Sequence, residues 1–237
     1  MSAILQREAH MPASYFVTGT DTEVGKTLVA TAMLNAARSR GLRTIGLKPV
    51  ASGAELVDGA LRNPDACALA GAMTESLHYD EINPFPFARA VAPHLAAEDA
   101  NLQLSAHAIA RHCKVVLSRP HEFSIVEGAG GWRVPISATE SLADVAVALG
   151  LPVVLVVGVR LGCINHAILS AEGIRSDGLE LAGWVANVVD PDMCYTERNI
   201  ATIQGWVKSP CIGVVPFLRD PSGTRVTHLL DIGLLAH

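Results

Sequence analysis

The sequence predicts an α/β fold in which a mostly parallel sheet carries helices on both faces. Short apolar runs alternate with longer helical stretches along the 237 residues, which is the pattern of consecutive βαβ units. Half of the residues are hydrophobic but only 5% are aromatic, so the core must be built from Val, Leu, Ile and Ala, as in buried parallel strands. Right-handed crossovers then give a three-layer sandwich.

The elements are predicted from the apolar runs and from helix start signals. Strands are predicted at residues 15–18, 44–48, 123–127, 152–158, 181–187 and 211–215. Helices are predicted at residues 26–40, 64–72, 104–117, 142–149, 165–176 and 194–207. The proline-rich residues 83–94 are predicted to form an extended, functional loop rather than a helix. We expect residues 1–13 to be a flexible extension and residues 14–237 to form one domain.

Charge and cysteine content limit the class of protein. The net charge of −5 argues against nucleic acid as a partner. The five cysteines are odd in number and contain no C-x-x-C pair, which favours a reducing compartment over a disulfide framework or a zinc site; they are Cys67, Cys113, Cys163, Cys194 and Cys211. Residues 1–13 lack the features of a signal peptide, and the apolar run 153–159 is too short to cross a membrane. We expect a cytoplasmic protein.

One segment indicates nucleotide chemistry. Residues 19–27 read Gly-Thr-Asp-Thr-Glu-Val-Gly-Lys-Thr and lie between a predicted strand and a predicted helix, which is the context of a phosphate-binding loop. Backbone N–H groups around Val24, Gly25 and Lys26 can converge on phosphate oxygens. Lys26 supplies a charge to the β- and γ-phosphates, and the Thr27 hydroxyl is a ligand for Mg²⁺. The fold is therefore expected to be P-loop NTPase-like, with ATP as substrate.

The loop departs from the common spacing, because Thr20 stands where the strict pattern has its first glycine. A strand-to-helix turn without a ligand is the alternative, but it would not need the intact Gly-Lys-Thr. The variant loop, together with residues 48–53 (Lys-Pro-Val-Ala-Ser-Gly), 126–132 (Val-Glu-Gly-Ala-Gly-Gly-Trp), 157–166 and 183–187 (Gly-Trp-Val-Ala-Asn), resembles the dethiobiotin synthetase family. The matching segments span residues 15 to 190.

The resemblance implies a definite reaction. Members of this family form a carbamate from CO₂ and one amine of 7,8-diaminopelargonic acid, phosphorylate it with ATP, and close the cyclic urea with the second amine. It implies Mg²⁺ held by Thr27, Asp65 and Glu127, with Lys26 and Lys48 as the catalytic lysines beside the transferring phosphoryl group. The residues alone favour other interpretations: Asp65 as a first-turn acid that complements the helix dipole, and Lys48 as a lysine that reaches solvent from the end of a strand. The resemblance reverses both.

The resemblance also assigns binding residues. On the nucleotide side they are Glu23, Val24, Gly25, Lys26, Thr27, Leu28, Glu127, Gly128, Ala129, Gly130, Asn187, Val215, Pro216 and Phe217. On the substrate side they are Thr22, Lys48, Ser52, Gly162, Cys163 and Asn165. The last three would hold the distal carboxylate across the interface of a homodimer, at a helix N-terminus. Cys163 is expected to be structural, since no histidine partner is implied. Some family members add a tyrosine where this chain has Asn199.

Two other classes share this kind of nucleotide loop. A nucleotide-switch ATPase of the partitioning type would carry an extra lysine near the start of the loop, where this chain has Thr20, Asp21 and Thr22. An amidating ligase of cobalamin synthesis would append a glutamine amidotransferase domain, for which 237 residues leave no room. ATP turnover that depends on the diamine separates dethiobiotin synthesis from both.

Overall fold

A computed structural model describes residues 12–235, and its centre is a six-stranded sheet. The order across the sheet is β10-β9-β8-β1-β7-β2, and every neighbouring pair is parallel. These strands are β1 Ala13–Gly19, β2 Thr44–Leu47, β7 Phe123–Gly131, β8 Val153–Val159, β9 Leu181–Val188 and β10 Cys211–Val215. The predicted parallel sheet is confirmed.

Helices cover both faces of this sheet. They are α1 Lys26–Ser39, α2 Pro64–Ala72, α3 Tyr79–Ile82, α4 Pro93–Asp99, α5 Ala106–Leu117, α6 Leu142–Leu149, α7 Cys163–Ser176, α8 Thr196–Val207 and α9 Gly223–Val226. Two short 3₁₀ turns follow, Thr227–Leu229 and Ile232–Leu234. Helices α1, α2 and α9 pack on one face, while α5, α6, α7 and α8 pack on the other.

The strands divide their side chains between the two helical layers. In β8, Leu155 and Val157 enter the core on the α5–α8 side, whereas Val154 and Val156 enter the core on the α1 side. This follows from the two-residue period of a strand. Both sets are fully buried, which explains why β8 reads as an unbroken apolar run rather than an alternating one.

The predicted helix at 64–72, the helix at 142–149 and the strand at 211–215 have the observed bounds, and the other predicted bounds shift by up to four residues. The loop predicted at 83–94 is corrected in part. It contains the short strand β6 Phe85–Phe87, which pairs with β3 Val50–Ser52, and its last two residues begin α4. Pro93 is the first residue of that helix, a position where proline loses no hydrogen bond.

The remaining small strands form a separate hairpin. Strands β4 Glu55–Val57 and β5 Ala60–Arg62 are antiparallel and were not predicted from the sequence. They are too short to show a period, and β4 is exposed along its whole length. The predicted extension at residues 1–13 lies outside the described residues except for Pro12 and Ala13, and Ala13 already belongs to β1.

Candidate active site

The phosphate loop connects the carboxyl end of β1 to α1. Gly25 is the N-cap of α1 with φ +86°, and no side chain of residues 12–235 caps the helix, so its first N–H groups face the loop. A Cβ on Gly25 would lie 2.3 Å from the Asn187 Nδ2 atom, so only glycine fits. Glu23 also has a positive φ of 58°, a strained conformation of the kind that gathers at functional sites. The predicted loop is thus preformed for an anion.

Lys26 is buried at the base of this loop. Its ammonium group donates a hydrogen bond to the Asp21 carbonyl oxygen at 2.8 Å. Burial, and next the positive charge of Lys48, lower the pKa of Lys26 to about 8. Both effects disfavour the charged form. A phosphate group bound in the loop would stabilise the charged form of Lys26 and so oppose both effects.

Lys48 and Glu127 meet beneath the loop because their strands are neighbours. Leu47 of β2 lies opposite Val126 of β7, so the residues that follow share one edge of the sheet. The Lys48 Nζ atom lies 2.6 Å from Glu127 Oε1 and 2.9 Å from the Gly128 carbonyl oxygen. Glu127 is fully buried. Lys48 therefore forms a buried ion pair and does not extend to solvent.

Thr27 and Asp65 complete this cluster. The Thr27 hydroxyl donates to Glu127 Oε1 at 2.7 Å, and Asp65 Oδ2 lies 3.1 Å from Lys48 Nζ. Asn63 caps α2 by accepting from the Asp65 N–H, so Asp65 is both a first-turn acid and a member of the cluster. Burial alone would lower the pKa of Lys48, but Glu127 and Asp65 outweigh burial and raise it. Burial raises the pKa of Asp65, but Lys48, Thr27 and Lys26 together outweigh burial and lower it.

The cluster has the donor set of a magnesium site. Thr27, Asp65 and Glu127 are hard oxygen donors from three separate elements, and such donors suit Mg²⁺. The second carboxylate oxygen of Glu127, Oε2, is buried without a hydrogen-bond partner among residues 12–235. A buried, unpaired carboxylate oxygen is costly unless something binds it. The residues present therefore fit a divalent cation.

A cavity of about 600 Å³ opens above the cluster. The predicted residues that line it are Thr22, Glu23, Gly25, Lys26, Thr27, Lys48, Ser52, Asp65, Ala129 and Gly130. The Ser52 hydroxyl oxygen is buried and has no partner in the described part of the chain, as expected for a group that awaits a ligand. Gly130 has φ +64°, and a Cβ there would lie 2.8 Å from the Val134 side chain.

Several lining residues were missed from the sequence. Asn63, residues 90–93 and Val134 also border the cavity. The proline-rich stretch was recognised as functional, but no pattern indicated which of its residues would reach the site. Asn83 donates from Nδ2 to the Lys48 carbonyl oxygen at 2.6 Å and so fixes the backbone of the central lysine. An asparagine in a loop carries no sequence signal for that role.

The predicted base-binding residues gather at a neighbouring part of the same edge. Asn187, the second-last residue of β9, lies opposite Val215 of β10, and its Nδ2 atom donates to the Val24 carbonyl oxygen at 2.9 Å. Phe217 follows with 41% of its surface exposed, and Pro216 between them is exposed as well. Val24 is buried, whereas Leu28 is partly buried in the first turn of α1. Asn187 thus links the base side to the phosphate loop.

The segment predicted to hold a carboxylate lies elsewhere. Gly162 is the N-cap of α7 with φ +93°, and in the described part of the chain no side chain caps this helix. The Cys163 side chain is buried, whereas Asn165 is exposed. Within the described chain, Gly162, Cys163 and Asn165 do not line the 600 Å³ cavity. Asn199 donates from Nδ2 to the Tyr195 carbonyl oxygen at 2.9 Å, inside α8.

Solved structures place the architecture in a known class. The septum site-determining protein MinD from Pyrococcus horikoshii, complexed with Mg-ADP, has a TM-score of 0.55 at 15% identity and covers 88% of this chain and 82% of its own. A ParA family ATPase from Chlorobium tepidum has a TM-score of 0.54 at 12% identity, over 91% and 93%. At these identities the likeness shows the fold alone. A family model described as an AAA domain matches residues 13–225. The fold and the loop define a P-loop nucleotide-binding protein.

Sequence relatives define the family within this class. ATP-dependent dethiobiotin synthetases are 55% identical in Pseudomonas paraeruginosa, over 94% of this chain and 97% of that protein, and 52% identical in Cellvibrio japonicus, over 92% and 96%. The synthetase of Marinobacter nauticus is 46% identical over 92% and 94%. This chain belongs to the ATP-dependent dethiobiotin synthetase family, and it is an ATP-dependent ligase that forms carbon–nitrogen bonds. Among residues 12–235, none of the helices is long and apolar enough to span a bilayer.

Proposed function

We propose that this chain converts 7,8-diaminopelargonic acid, CO₂ (or bicarbonate) and ATP into dethiobiotin, ADP and phosphate. Family membership supports the reaction. The observation that carries the site is the cluster of Thr27, Lys48 and Asp65 on the floor of the cavity, with Glu127 buried beside them and one of its carboxylate oxygens without a partner among residues 12–235. A site for phosphoryl transfer needs converging charges of this kind.

The two lysines act on the transferring phosphoryl group. Lys26 would leave the Asp21 carbonyl oxygen and donate to the β- and γ-phosphates, as the lysine of a phosphate loop does. Lys48, at the other side of the cavity floor, would stabilise charge on the carbamate oxygen and on the γ-phosphoryl group. Both ammonium groups are buried, so water screens their charges little.

The cavity wall supplies the substrate contacts. The unpaired Ser52 hydroxyl and the exposed Thr22 side chain face the cavity above Lys48, where the two amines and the carbamate would lie. Glu23, Ala129 and Gly130 border the same space on the side of the phosphates. Holding the second amine beside the carbonyl carbon of the phosphorylated carbamate is sufficient to favour ring closure with loss of phosphate, since positioning alone lowers the activation barrier substantially.

Thr27, Asp65 and Glu127 would hold Mg²⁺. When bound, Mg²⁺ neutralises the phosphate charge that spreads during the transfer. In the described structure the Lys48 ammonium group neutralises the same two carboxylates. Glu127 then serves both the cation and Lys48, which accounts for its complete burial at the junction of the two.

The base of the nucleotide would lie beside Asn187. The Nδ2 atom of Asn187 is already bonded to the Val24 carbonyl oxygen, so the amide is held in a fixed orientation. Its register partner Val215 is buried, and the exposed ring of Phe217, two residues further on, offers an apolar surface for the purine. Leu28 lies in the first turn of α1, directly after the phosphate loop, and the Gly128 carbonyl oxygen accepts from Lys48 Nζ.

We further propose a homodimer in which the partner completes the substrate site. Gly162, Cys163 and Asn165 do not reach the cavity within one described chain, yet Leu161 is 92% exposed and Leu169 on α7 is 58% exposed. Exposed apolar side chains beside this helix N-terminus fit a contact between two copies of the chain. The substrate carboxylate would then lie at the end of the helix. The carboxylate would be held by backbone groups and Asn165, since the Cys163 thiol is buried.

The cellular location, the partners and the domain organisation of the enzyme are also proposals. All five cysteines are free, which supports a reducing, cytoplasmic location. The net charge of −5 supports small molecules rather than nucleic acid or membrane surfaces as partners. We propose that residues 14–237 act as one domain.

The test is direct. Purified protein with the diamine, bicarbonate, ATP and Mg²⁺ should form dethiobiotin, detected by mass spectrometry, and removal of Mg²⁺ with a chelator should stop product formation. Lys48→Met should lower kcat by about 100- to 1000-fold, since one stabiliser of developing charge is lost. Lys114→Met, on the exposed face of α5, is the matched control and should keep full activity.

Two outcomes would contradict the proposal. Folded protein that forms no dethiobiotin would rule out the reaction. ATP hydrolysis that proceeds equally well without the diamine would instead favour a nucleotide switch.

A further inference from the structure

One ion pair joins the phosphate loop to the start of α7. The Arg160 Nη2 atom donates to Asp21 Oδ2. Arg160 comes directly after the last residue of β8, and Asp21 comes two residues after the last residue of β1. The strands below are already tied, because the Thr20 N–H donates to the Val156 carbonyl oxygen at 2.9 Å. The ion pair adds a contact between the two functional loops that follow these strands.

On the loop side, Asp21 contacts two of the residues proposed to act on the reactants. Its Oδ1 atom accepts from the Thr22 N–H at 2.7 Å, and its carbonyl oxygen accepts from Lys26 Nζ at 2.8 Å. The carboxylate thus acts directly on the substrate-side threonine. The backbone of Asp21 positions the phosphate-side lysine until a phosphate group takes its ammonium group.

On the other side, Arg160 closes the turn that leads into α7. Its carbonyl oxygen accepts from the Cys163 N–H at 3.0 Å, so only Leu161 and Gly162 lie between the guanidinium-bearing residue and the helix. Gly162 holds a left-handed conformation and α7 has no side-chain cap. The position of Arg160 thus fixes the first turn of α7.

We propose that Asp21 and Arg160 are positioning residues that hold the phosphate loop and the first turn of α7 in register, so that separating them weakens the binding of both the nucleotide and the diamine. This rests on the proposed function, in which the first turn of α7 binds the carboxylate of the diamine in the partner's site. The pair then links the nucleotide site of one subunit to the substrate tail bound at the neighbouring site.

The solvent exposure of the pair separates this role from a structural one. The two side chains are 42% and 47% exposed, and an ion pair that exposed contributes little to folding stability. Its loss should therefore appear in the binding of ligands and leave the thermal midpoint close to that of the unchanged protein. Arg40 and Asp231 form an ion pair of similar exposure, 49% and 61%, with its atoms 3.5 Å apart, and its residues do not line the cavity. Arg40→Ala is therefore the matched control.

The test measures KM for ATP and for the diamine in Arg160→Ala, Asp21→Asn and the double variant, together with titration by a non-hydrolysable ATP analogue. We expect each single change to raise both KM values about 3- to 10-fold, the size of a direct coupling between neighbours, while kcat changes less. The double variant should be no worse than the worse single variant, because both remove the same contact. Arg160→Lys should recover most of the loss, and Arg40→Ala should change neither KM.

Several results would overturn the proposal. Unchanged KM values in both single variants would do so, and so would effects that multiply in the double variant. A rise in the diamine KM alone for Arg160→Ala, with no effect of Asp21→Asn, would mean that Arg160 contacts the substrate itself. The analogue titration needs no diamine. An unchanged analogue affinity in Arg160→Ala would contradict the positioning role, whereas a lack of dethiobiotin from the unchanged protein would contradict the proposed function.

Discussion

The cluster beneath the phosphate loop and the first turn of α7 are both assigned to one reaction, but they are built in opposite ways. Lys48 and Glu127 are 4% and 0% exposed, and each charge has a partner within the same chain. Leu161, at the start of α7, is 92% exposed, and this turn has no side-chain cap. The charges of the cluster are paired within one chain, whereas the Leu161 side chain in the turn is exposed and can contact another molecule.

This difference determines where a substitution changes both activity and folding stability and where it changes only one of them. In the cluster, a change to one charge leaves another buried without its partner, so catalytic and folding effects arrive together. In the turn, the exposed side chains such as Leu161 contribute little to folding, so changes to them should act on binding alone. Each of the following experiments strengthens or breaks this contrast.

The largest effect is expected from Glu127→Ala. It removes the main partner of the Lys48 ammonium group, which keeps only Asp65 and the Gly128 carbonyl oxygen. We expect the free energy of unfolding to fall by about 3 to 5 kcal/mol, the cost of breaking a buried ion pair, with loss of activity. Urea unfolding of the nucleotide-free protein measures it. Glu55→Ala, in the exposed strand β4, is the control and should cost less than about 0.5 kcal/mol; equal effects would contradict the contrast.

Lys26→Met should act in the opposite direction on stability. Burial lowers the pKa of Lys26 to about 8, so below pH 8 the folded protein carries a buried charge at a cost. We expect the variant to be more stable at pH 7 by about 1 to 3 kcal/mol, and to lose nucleotide binding. Thermal unfolding and titration with an ATP analogue measure the two effects.

The pH dependence of that gain has a definite sign. Between pH 8 and about 10.5, folded Lys26 loses its proton while the unfolded chain keeps it, so the stability of the unchanged protein rises with pH relative to the variant. The advantage of Lys26→Met should therefore shrink across this range. A gain that stays constant to pH 10 would mean that burial of Lys26 is not its cause.

Leu161→Asp tests the open region. We expect it to leave the unfolding free energy of the protomer within about 0.5 kcal/mol but to favour monomers and raise the diamine KM roughly 10-fold, equal to about 1.4 kcal/mol of binding. Sedimentation and steady-state kinetics measure these. Val115→Asp, at a 66% exposed position on α5, should change neither. A dimer of unchanged affinity in Leu161→Asp would remove α7 from the proposed interface.

The smallest effect on the free energy of unfolding is expected from Asp65→Asn, because the Asp65 side chain is 44% exposed. Lys48 lowers the pKa of Asp65 in the folded protein, so its stabilisation is present above the pKa of the unfolded chain and is lost as the pH falls through the folded value. The variant should lose less than about 1 kcal/mol of unfolding free energy. This loss should be largest near neutral pH and vanish in acid. Asp80→Asn, an exposed first-turn acid of α3, should show no such loss; a deficit that persists in acid would exclude the contact with Lys48 as its source.

The order of the elements was readable from the sequence because their signals are local. Val153–Val159 is apolar at every position, and Asn63 and Pro64 mark the start of α2. The hairpin at Glu55–Arg62 and the helix at Tyr79–Ile82 were missed, since three- and four-residue patterns do not distinguish strand, helix and loop. The longer helix that begins at Pro93 was missed because this proline was assigned to the proline-rich loop. The roles assigned to the site came from the family resemblance rather than from any such pattern.

By itself, the sequence determined the phosphate loop and the succession of strands and helices, because backbone preferences and periods act over a few residues. The tertiary structure decided which residues meet. Glu127 joins Lys48 although 79 positions separate them, and Asn187 reaches Val24 across 163. Those contacts depend on β7 lying between β1 and β2, and on β9 lying beside β8. Strand order is set by the crossovers of the whole chain, which no local pattern contains.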